Sequence, residues 1–157
     1  MAEHKEHVYN VTCSWRGSTG EGYDAYSRTH AAAAPPAKAS VTLSSDPAFR
    51  GDPGLLNPEQ LLVMSAASCQ MLSFLAVAAR KRINVVEYED HAEGFMQEDV
   101  KPVHVNRIVL KPRIVINGAA DPGMVESLVK LGHSHCFIAN SLKTDIRIEP
   151  EIVILKL

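Results

Sequence analysis

The sequence has few cysteines and no surplus of either charge. Three cysteines occur among its 157 residues, and an odd, low number is unlike the disulfide framework of a small secreted domain. Lysine and arginine number 16 against 18 acidic residues, which gives a net charge of -2. Proteins that bind nucleic acids or anionic membranes usually carry a basic surplus, so the composition argues against both as partners.

The sequence also lacks a clear targeting or membrane segment. Residues 1–7 are polar and of mixed charge, without the apolar stretch of a secretory signal. No apolar run approaches the ~20 residues that span a bilayer. We therefore expect a cytoplasmic protein, in which thiols are kept reduced and a disulfide would be transient and catalytic.

The composition and the N-terminal pattern predict a globular domain that begins with a sheet. Hydrophobic residues make up 46% of the chain and charged residues 22%, as in ordinary soluble domains, and we expect one domain over 1–157. Apolar and polar residues alternate over 9–15, which predicts a strand with one apolar face. Residues 22–30 and 38–44 are expected to continue an antiparallel sheet, on either side of a proline-containing loop at 31–37.

Two helices are marked by their start signals. Asn57 followed by Pro58 is typical of an N-cap and first helical position. The apolar segment that runs from there to about Arg82 predicts a central, buried helix. Asp121 and Pro122 open a second helix in the same way. The other apolar segments predict strands at 84–98, 103–116 and 145–157, with an ordered loop at 45–56. This order indicates the α+β class.

Cys69 and Cys136 fall on the inward faces of these two predicted helices. A buried cysteine is ordinarily just a small hydrophobic residue, and that interpretation stays open for both. Two helices of one small core must pack together, so the cysteines can come within disulfide reach, about 5.5–6 Å between Cα atoms. Reactivity needs a thiolate, and the neighbours of Cys69 in the chain are uncharged. We therefore expect a cation from elsewhere, with Arg28 and Arg50 as candidates.

The remaining cysteine and the histidines near Cys136 are weaker signals. Cys13 shares its strand face with Val11 and Trp15, so we interpret it as structural. His133 and His135 do not suggest a metal site, because positions two apart on a helix point in different directions. We expect neither a metal nor another cofactor.

Four segments together carry a family resemblance. Residues 57–62 (Asn-Pro-Glu-Gln-Leu-Leu) and 66–69 (Ala-Ala-Ser-Cys) resemble the active-site helix of the OsmC/Ohr family, named for osmotically inducible protein C and organic hydroperoxide resistance. Residues 26–28 (Tyr-Ser-Arg) stand where that family carries its arginine loop, and 135–140 resemble its second-cysteine helix. The resemblance extends from about residue 8 to 155. The loops that contain Arg28 and Arg50 depart from the usual pattern and resemble a less characterised OsmC-like subgroup.

The resemblance implies a fold, an assembly and a reaction. The fold would be α+β, with antiparallel sheets around two central helices, in an intertwined homodimer with active sites at the subunit interface. The activity would be that of a thiol peroxidase for organic hydroperoxides and, less well, hydrogen peroxide. Cys69 would be the peroxidatic thiolate and Cys136 the resolving thiol. Arg28 would stabilise the thiolate, with Arg50 as second choice, and Glu59 would orient Arg28. The reductant would be a dithiol, often a lipoyl-bearing protein.

Helix geometry adds one prediction to this scheme. Glu59 precedes Cys69 by ten residues, which is ~15 Å along a helix axis. We therefore predict that Glu59 and Arg28 of one chain meet Cys69 of the other. Two other functions remain open. The protein could be a redox-sensing or non-catalytic protein that holds a small apolar ligand in the same pocket, or a structural dimer whose cysteines only pack.

Overall fold

A computed structural model of the chain describes residues 5–155. Its contacts separate two compact units, one that ends at Pro58 and one that begins at Glu59. The expected single domain over 1–157 therefore stays a prediction, and each unit has its own architecture.

The first unit is a three-stranded antiparallel sheet followed by an ordered loop. Its strands are β1 (Thr12–Ser14), β2 (His30–Ala33) and β3 (Ser40–Leu43), in the order β1-β2-β3. The loop at 45–56 is confirmed and contains a single 3-10 turn, Pro47–Phe49.

The structure of this unit differs from the prediction at three places: two predicted strands are too long, and the predicted loop at 31–37 begins too early. The segment 9–15 is a strand only over β1, because its partner β2 has just four residues. Residues 22–30 turn instead of extending: Gly22 has a φ of +96° and its carbonyl accepts a hydrogen bond from the Ala25 N–H, a conformation that glycine tolerates. The alanines at 31–33 belong to β2, which ends before the prolines because they cannot donate to a sheet.

The second unit begins with the long helix that the sequence predicted. This helix, α1 (Pro58–Arg80), starts at the predicted proline and ends two residues before the predicted end. Arg82 adopts a left-handed φ of 55°, and the Ile83 N–H donates to the Ala78 carbonyl. Such a turn satisfies the last carbonyls of a helix and stops it.

The structure shows α1 to be less buried than the predicted central, buried helix. Met64 is 50% exposed and Leu72 60% exposed, and both lie on one row of the helix because they are eight residues apart. By length and composition α1 could also cross a membrane: its most apolar window has a mean hydropathy of 1.9, with 28% of it buried. The expectation that no segment is long and apolar enough to span a bilayer is thus wrong too, although core helices of soluble proteins can have the same length and composition.

Six strands form two mixed sheets in the second unit. They are β4 (Val85–Asp90), β5 (Glu93–Phe95), β6 (Arg107–Leu110), β7 (Pro112–Asn117), β8 (Asp145–Ile148) and β9 (Glu151–Leu155), ordered β4-β7-β9 and β5-β6-β8. The segments 84–98 and 103–116, both predicted as strands, pair antiparallel with each other as β4/β7 and β5/β6. The predicted closing strand is split into β8 and β9, each parallel to its neighbour. Its last positions, 156–157, lie outside the described residues.

Two shorter helices complete the second unit: α2 (Pro122–Ser134) and α3 (Phe137–Ser141). Asp121 caps α2 as predicted, since its side chain accepts a hydrogen bond from the Met124 N–H at 2.8 Å. A core forms where α1, α2 and the first mixed sheet meet, with Phe74, Ile114 and Val125 completely buried. The α+β class is therefore confirmed.

Candidate functional site

Cys136 lies between two helices and not within one. The helix α2 ends at Ser134, and Cys136 has the extended conformation of an N-cap, with φ -70° and ψ 111°. Its sulfur accepts a hydrogen bond from the Ala139 N–H at 3.4 Å, so it satisfies a donor at the start of α3. The prediction that Cys136 continues the inward stripe of α2 is therefore wrong, although the side chain is only 1% exposed.

The structure brings Cys69 and Cys136 together. Both are free thiols, and their side chains share a hydrogen bond. Cys69 is partly exposed in the middle of α1, whereas Cys136 is buried. The two cysteines selected from the sequence are thus neighbours within one chain; their roles stay predictions.

The surroundings of Cys69 favour its thiolate. Burial raises the pKa of the Cys69 thiol, but hydrogen bonds from the Ile138 N–H, the Cys136 thiol, the Phe137 N–H and the Ser73 hydroxyl outweigh burial. The net result is a pKa below the ordinary cysteine value. Because the thiolate is the nucleophilic form, the geometry increases the reactivity of Cys69 at neutral pH.

The pKa of Cys136 moves the other way. Burial, followed by the hydrogen bond with Cys69, raises the pKa of Cys136 to about 11. Cys136 therefore stays a thiol at neutral pH and donates its proton towards the Cys69 sulfur. The pair thus joins a thiol of lowered pKa to a neighbour that stays protonated at neutral pH.

The donors that stabilise this thiolate are uncharged, whereas the sequence predicted a cation. In the described part of the second unit they are the Cys136 thiol, the Ser73 hydroxyl and two backbone N–H groups at the start of α3. Ser73 lies four residues after Cys69 on α1, and helical spacing places it beside the thiol. The N–H groups could not be found in that way, because the sequence pattern placed them inside a continuous helix.

Glu59 lies in the first turn of α1 and is half-buried. Because α1 also carries Cys69, the predicted separation of ~15 Å along one helix applies. The structure therefore does not place Glu59 in the turn of α1 that carries Cys69. Its meeting with Cys69 of a second chain stays a prediction.

Arg28 belongs to the first unit and is held by two tyrosines. Its guanidinium donates to the backbone carbonyls of Tyr26 and Tyr23. It also lies 3.7 Å from the centre of the Tyr26 ring and 4.6 Å from that of Tyr23, a favourable cation–π geometry. The Arg28 head group is thereby fixed in orientation.

Arg50, the second candidate, has a different environment. It has a left-handed φ of 64° at the end of the 3-10 turn, and its exposed side chain forms an ion pair with Asp24 at 2.8 Å. An exposed pair of this kind contributes little to stability. Both arginines lie in the first unit and both cysteines in the second, so the pairing of either arginine with Cys69 stays a prediction.

Cys13 is exposed, contrary to its interpretation as a packed structural residue. The short strand β1 leaves its side chain at a cavity of about 380 Å³ in the first unit. The walls include Trp15, Tyr26 and Arg28. Apolar atoms make up most of this lining, so the cavity is suited to an apolar group.

The hydrogen bonds around Cys69 predict the pH dependence of its alkylation. We expect the reaction of Cys69 with iodoacetamide to reach half its maximal rate at a lower pH than an unperturbed cysteine peptide, because only the thiolate reacts. Cys136→Ala removes a donor and should raise this midpoint, whereas Cys136→Ser keeps a hydroxyl donor and should raise it less. Mass spectrometry of the labelled Cys69 peptide across about pH 5 to 10 measures the profile. A wild-type midpoint equal to that of the free peptide would contradict the prediction.

Comparisons with known proteins give a consistent family. The model of the OsmC family, described as OsmC-like protein, matches residues 51–151. The uncharacterized protein YmaD of Bacillus subtilis is 23% identical over 115 residues, which cover 71% of this chain and 77% of that protein. An OsmC-like protein of unknown function from Vibrio cholerae superimposes with a TM-score of 0.83 at 29% identity, over 92% of this chain and 99% of the other. An organic hydroperoxide resistance protein from Legionella pneumophila superimposes with a TM-score of 0.66 at 16% identity, over 94% of this chain and 99% of the other.

Proposed function

Because this chain belongs to the OsmC-like protein family, we propose that it is a thiol-dependent peroxidase for organic hydroperoxides. The observation that carries the proposal is the Cys69–Cys136 pair, in which one thiol has a lowered pKa while its neighbour stays protonated. Structural relatives named organic hydroperoxide resistance proteins share the fold, which supports the same reaction class.

The reaction that this pair supports proceeds in two steps. The Cys69 thiolate attacks the terminal oxygen of the hydroperoxide, the O–O bond breaks, and the alkoxide takes a proton and leaves as an alcohol. Cys69 is then a sulfenic acid. The Cys136 sulfur attacks the Cys69 sulfur, water leaves, and a disulfide joins the two residues. The peroxide is reduced by two electrons and the two thiols are oxidised by two.

The thiols must then be regenerated by a reductant. We propose a dithiol, with a lipoyl-bearing protein as one candidate, acting in the cytoplasm, where such reductants are kept reduced. Cys69 is partly exposed and Cys136 is 1% exposed, so the incoming thiolate has access to the Cys69 sulfur. Attack there leaves Cys136 as the departing thiol.

Disulfide mapping tests the proposed function directly. The reduced protein is mixed with a stoichiometric amount of cumene hydroperoxide and its disulfides are mapped by mass spectrometry. We expect cumene hydroperoxide to produce a disulfide between Cys69 and Cys136 rapidly, and hydrogen peroxide to produce the same disulfide more slowly. Slow oxidation that includes Cys13 would contradict the peroxidase and favour a redox-sensing or ligand-binding protein, for which the cavity beside Cys13 is the candidate site.

The arginine and the second subunit can be tested together. We propose a homodimer in which Arg28 and Glu59 of one chain serve Cys69 of the other; the exposed row of α1 with Met64 and Leu72 supports a partner surface. Arg28→Ala should slow oxidation of Cys69 by about a hundredfold, because it removes positive charge where negative charge develops on oxygen.

Subunit mixing provides the decisive measurement. Heterodimers that combine Arg28→Ala with Cys69→Ser contain one complete site, so the co-expressed pair should recover about a quarter of the wild-type rate. Arg50→Ala is the matched control and should leave the rate unchanged if its role is the Asp24 ion pair. Failure of the mixed pair to recover activity would contradict a shared site, and a large effect of Arg50→Ala would transfer the role to that residue.

A further inference from the structure

Gln70, the residue after Cys69, is a polar side chain in a place where folding does not require one. It is 0% exposed, and its Nε2 donates to the Val129 carbonyl of α2 at 3.2 Å. Its Oε1 has no hydrogen-bond partner among the residues that the structure describes. A buried acceptor without a partner costs about 1–3 kcal/mol. A methionine of similar length would avoid that cost, so stability alone does not account for the glutamine.

The hydrogen bond of Gln70 is followed by a second close contact between α1 and α2. One turn further along each helix, Gly132 meets Phe74: a Cβ placed on Gly132 would lie 2.9 Å from the Phe74 Cα and N atoms. The backbones approach so closely there because glycine has no side chain. The Gln70 hydrogen bond and the Gly132 contact thus fix the end of α2 on the same part of α1 that carries Cys69.

The path from this contact to Cys136 is short and ordered. From Val129 the helix continues to Ser134. The Cys136 N–H then donates to the His133 carbonyl at 3.1 Å, and the Cys136 carbonyl accepts from the Asn140 N–H at 3.0 Å. A displacement of α2 along α1 would therefore move Cys136 relative to Cys69. The Gln70 hydrogen bond restrains such a displacement directly, because it depends on distance and angle.

We propose that Gln70 is a positioning residue that holds Cys136 within disulfide-forming distance of Cys69. It acts through the Val129 carbonyl and the end of α2, and touches no reacting atom. The inference rests on the proposed function in one respect, that the two cysteines form a disulfide in the reaction cycle.

The test is the equilibrium of the intact protein with glutathione. Oxidised glutathione takes two electrons from the Cys69 and Cys136 thiols, which leaves one protein disulfide and two reduced glutathione molecules. The equilibrium constant is the effective concentration of one thiol at the other. We expect Gln70→Met to lower it by about tenfold, because small displacements of paired groups have effects of this size. That change raises the reduction potential of the pair by about 30 mV.

Two further measurements separate positioning from a general loss of structure. Urea unfolding of the reduced protein should show Gln70→Met to be as stable as the wild type or more stable, since the substitution removes a buried unpartnered oxygen. Gln97→Met is the control: the same exchange at an exposed side chain, which should leave the effective concentration unchanged. Cys13→Ser is present in all variants, so that one disulfide alone is measured.

The outcomes are distinct. An effective concentration that stays within about twofold of the wild type overturns the inference. A fall in effective concentration that accompanies an equal loss in the free energy of unfolding also overturns it, because Gln70 would then stabilise the fold as a whole. The measurement uses no peroxide. If the wild type does not react with cumene hydroperoxide but Gln70→Met shows the expected fall in effective concentration, the proposed peroxidase function is contradicted and the positioning role of Gln70 is supported.

Discussion

Replacing Cys69 with serine should lower the rate of cumene hydroperoxide reduction by at least about a thousandfold. The hydroxyl of serine stays protonated at neutral pH, and the hydrogen bonds that stabilise a thiolate in this position cannot convert it to an alkoxide. Cys136 does not take over the reaction, because burial keeps it protonated, with its pKa raised to about 11. Single-turnover consumption of peroxide by the reduced protein measures the loss.

The matched variant is Cys136→Ser, which separates the two steps of the reaction. It keeps a hydroxyl donor beside Cys69, so the first oxidation should proceed at a rate close to that of the wild type. The sulfenic acid then has no resolving partner and should accumulate at Cys69, where dimedone traps it. A Cys69→Ser protein that still consumes peroxide, or a Cys136→Ser protein that consumes none, would contradict the assigned roles.

Replacing Gly132 with valine should destabilise the protein by about 3 kcal/mol. A Cβ at this position would lie 2.9 Å from two backbone atoms of Phe74, and α1 cannot move away without opening the buried core around that residue. Gly132→Ala should have a smaller effect of the same sign, since a better helix propensity offsets about 1 kcal/mol of the overlap. Urea denaturation of the reduced protein measures both.

Gly123→Val is the control for this prediction. Gly123 lies in the same helix but near its exposed start, where an added Cβ meets only the Oδ2 atom of the exposed Asp121 side chain, at 3.2 Å, and no backbone atom. The unfolding free energy should change by less than about 1 kcal/mol. Equal losses for the two valine variants would show that helix propensity, and not the contact with Phe74, determines the result.

The helix starts were predictable because their signals are local. Asp121 followed by Pro122 predicts a capped start, and the structure has both the helix and the hydrogen bond from Met124 to the Asp121 side chain. The same reasoning placed the start of α1 at Pro58. A cap needs only residues adjacent in the chain, so a single sequence contains the necessary information.

The position of Cys136 was not predictable in this way. Val125, Val129, Gly132 and Cys136 follow helical spacing, which predicted one helix through all four. The helix stops because Cys136 becomes an N-cap, and cysteine is not among the residues that usually take this role. The lowered pKa of Cys69 depends on that break, since the Ile138 N–H reaches its sulfur from the start of α3.

The N-terminal strands show the other limit of sequence patterns. Alternation over 9–15 predicted a long strand with a covered apolar face, yet Tyr9 is 85% exposed and Val11 64%. Alternation records which side chains share a face but contains no information on how long the neighbouring strand is. Here β2 has only four residues, and that length limits the pairing.

The order of strands in the second unit affects how the chain folds while it is being synthesised. In the sheet β4-β7-β9, the central strand β7 pairs on one side with the last strand of the described chain. Until residues 151–155 leave the ribosome, β7 has one open edge beside the apolar side chains of Ile114 and Ile116, which are buried in the finished fold. Open edges of this kind pair with other nascent chains. Truncation before β9 should therefore produce aggregates, even though every cysteine of the chain is retained.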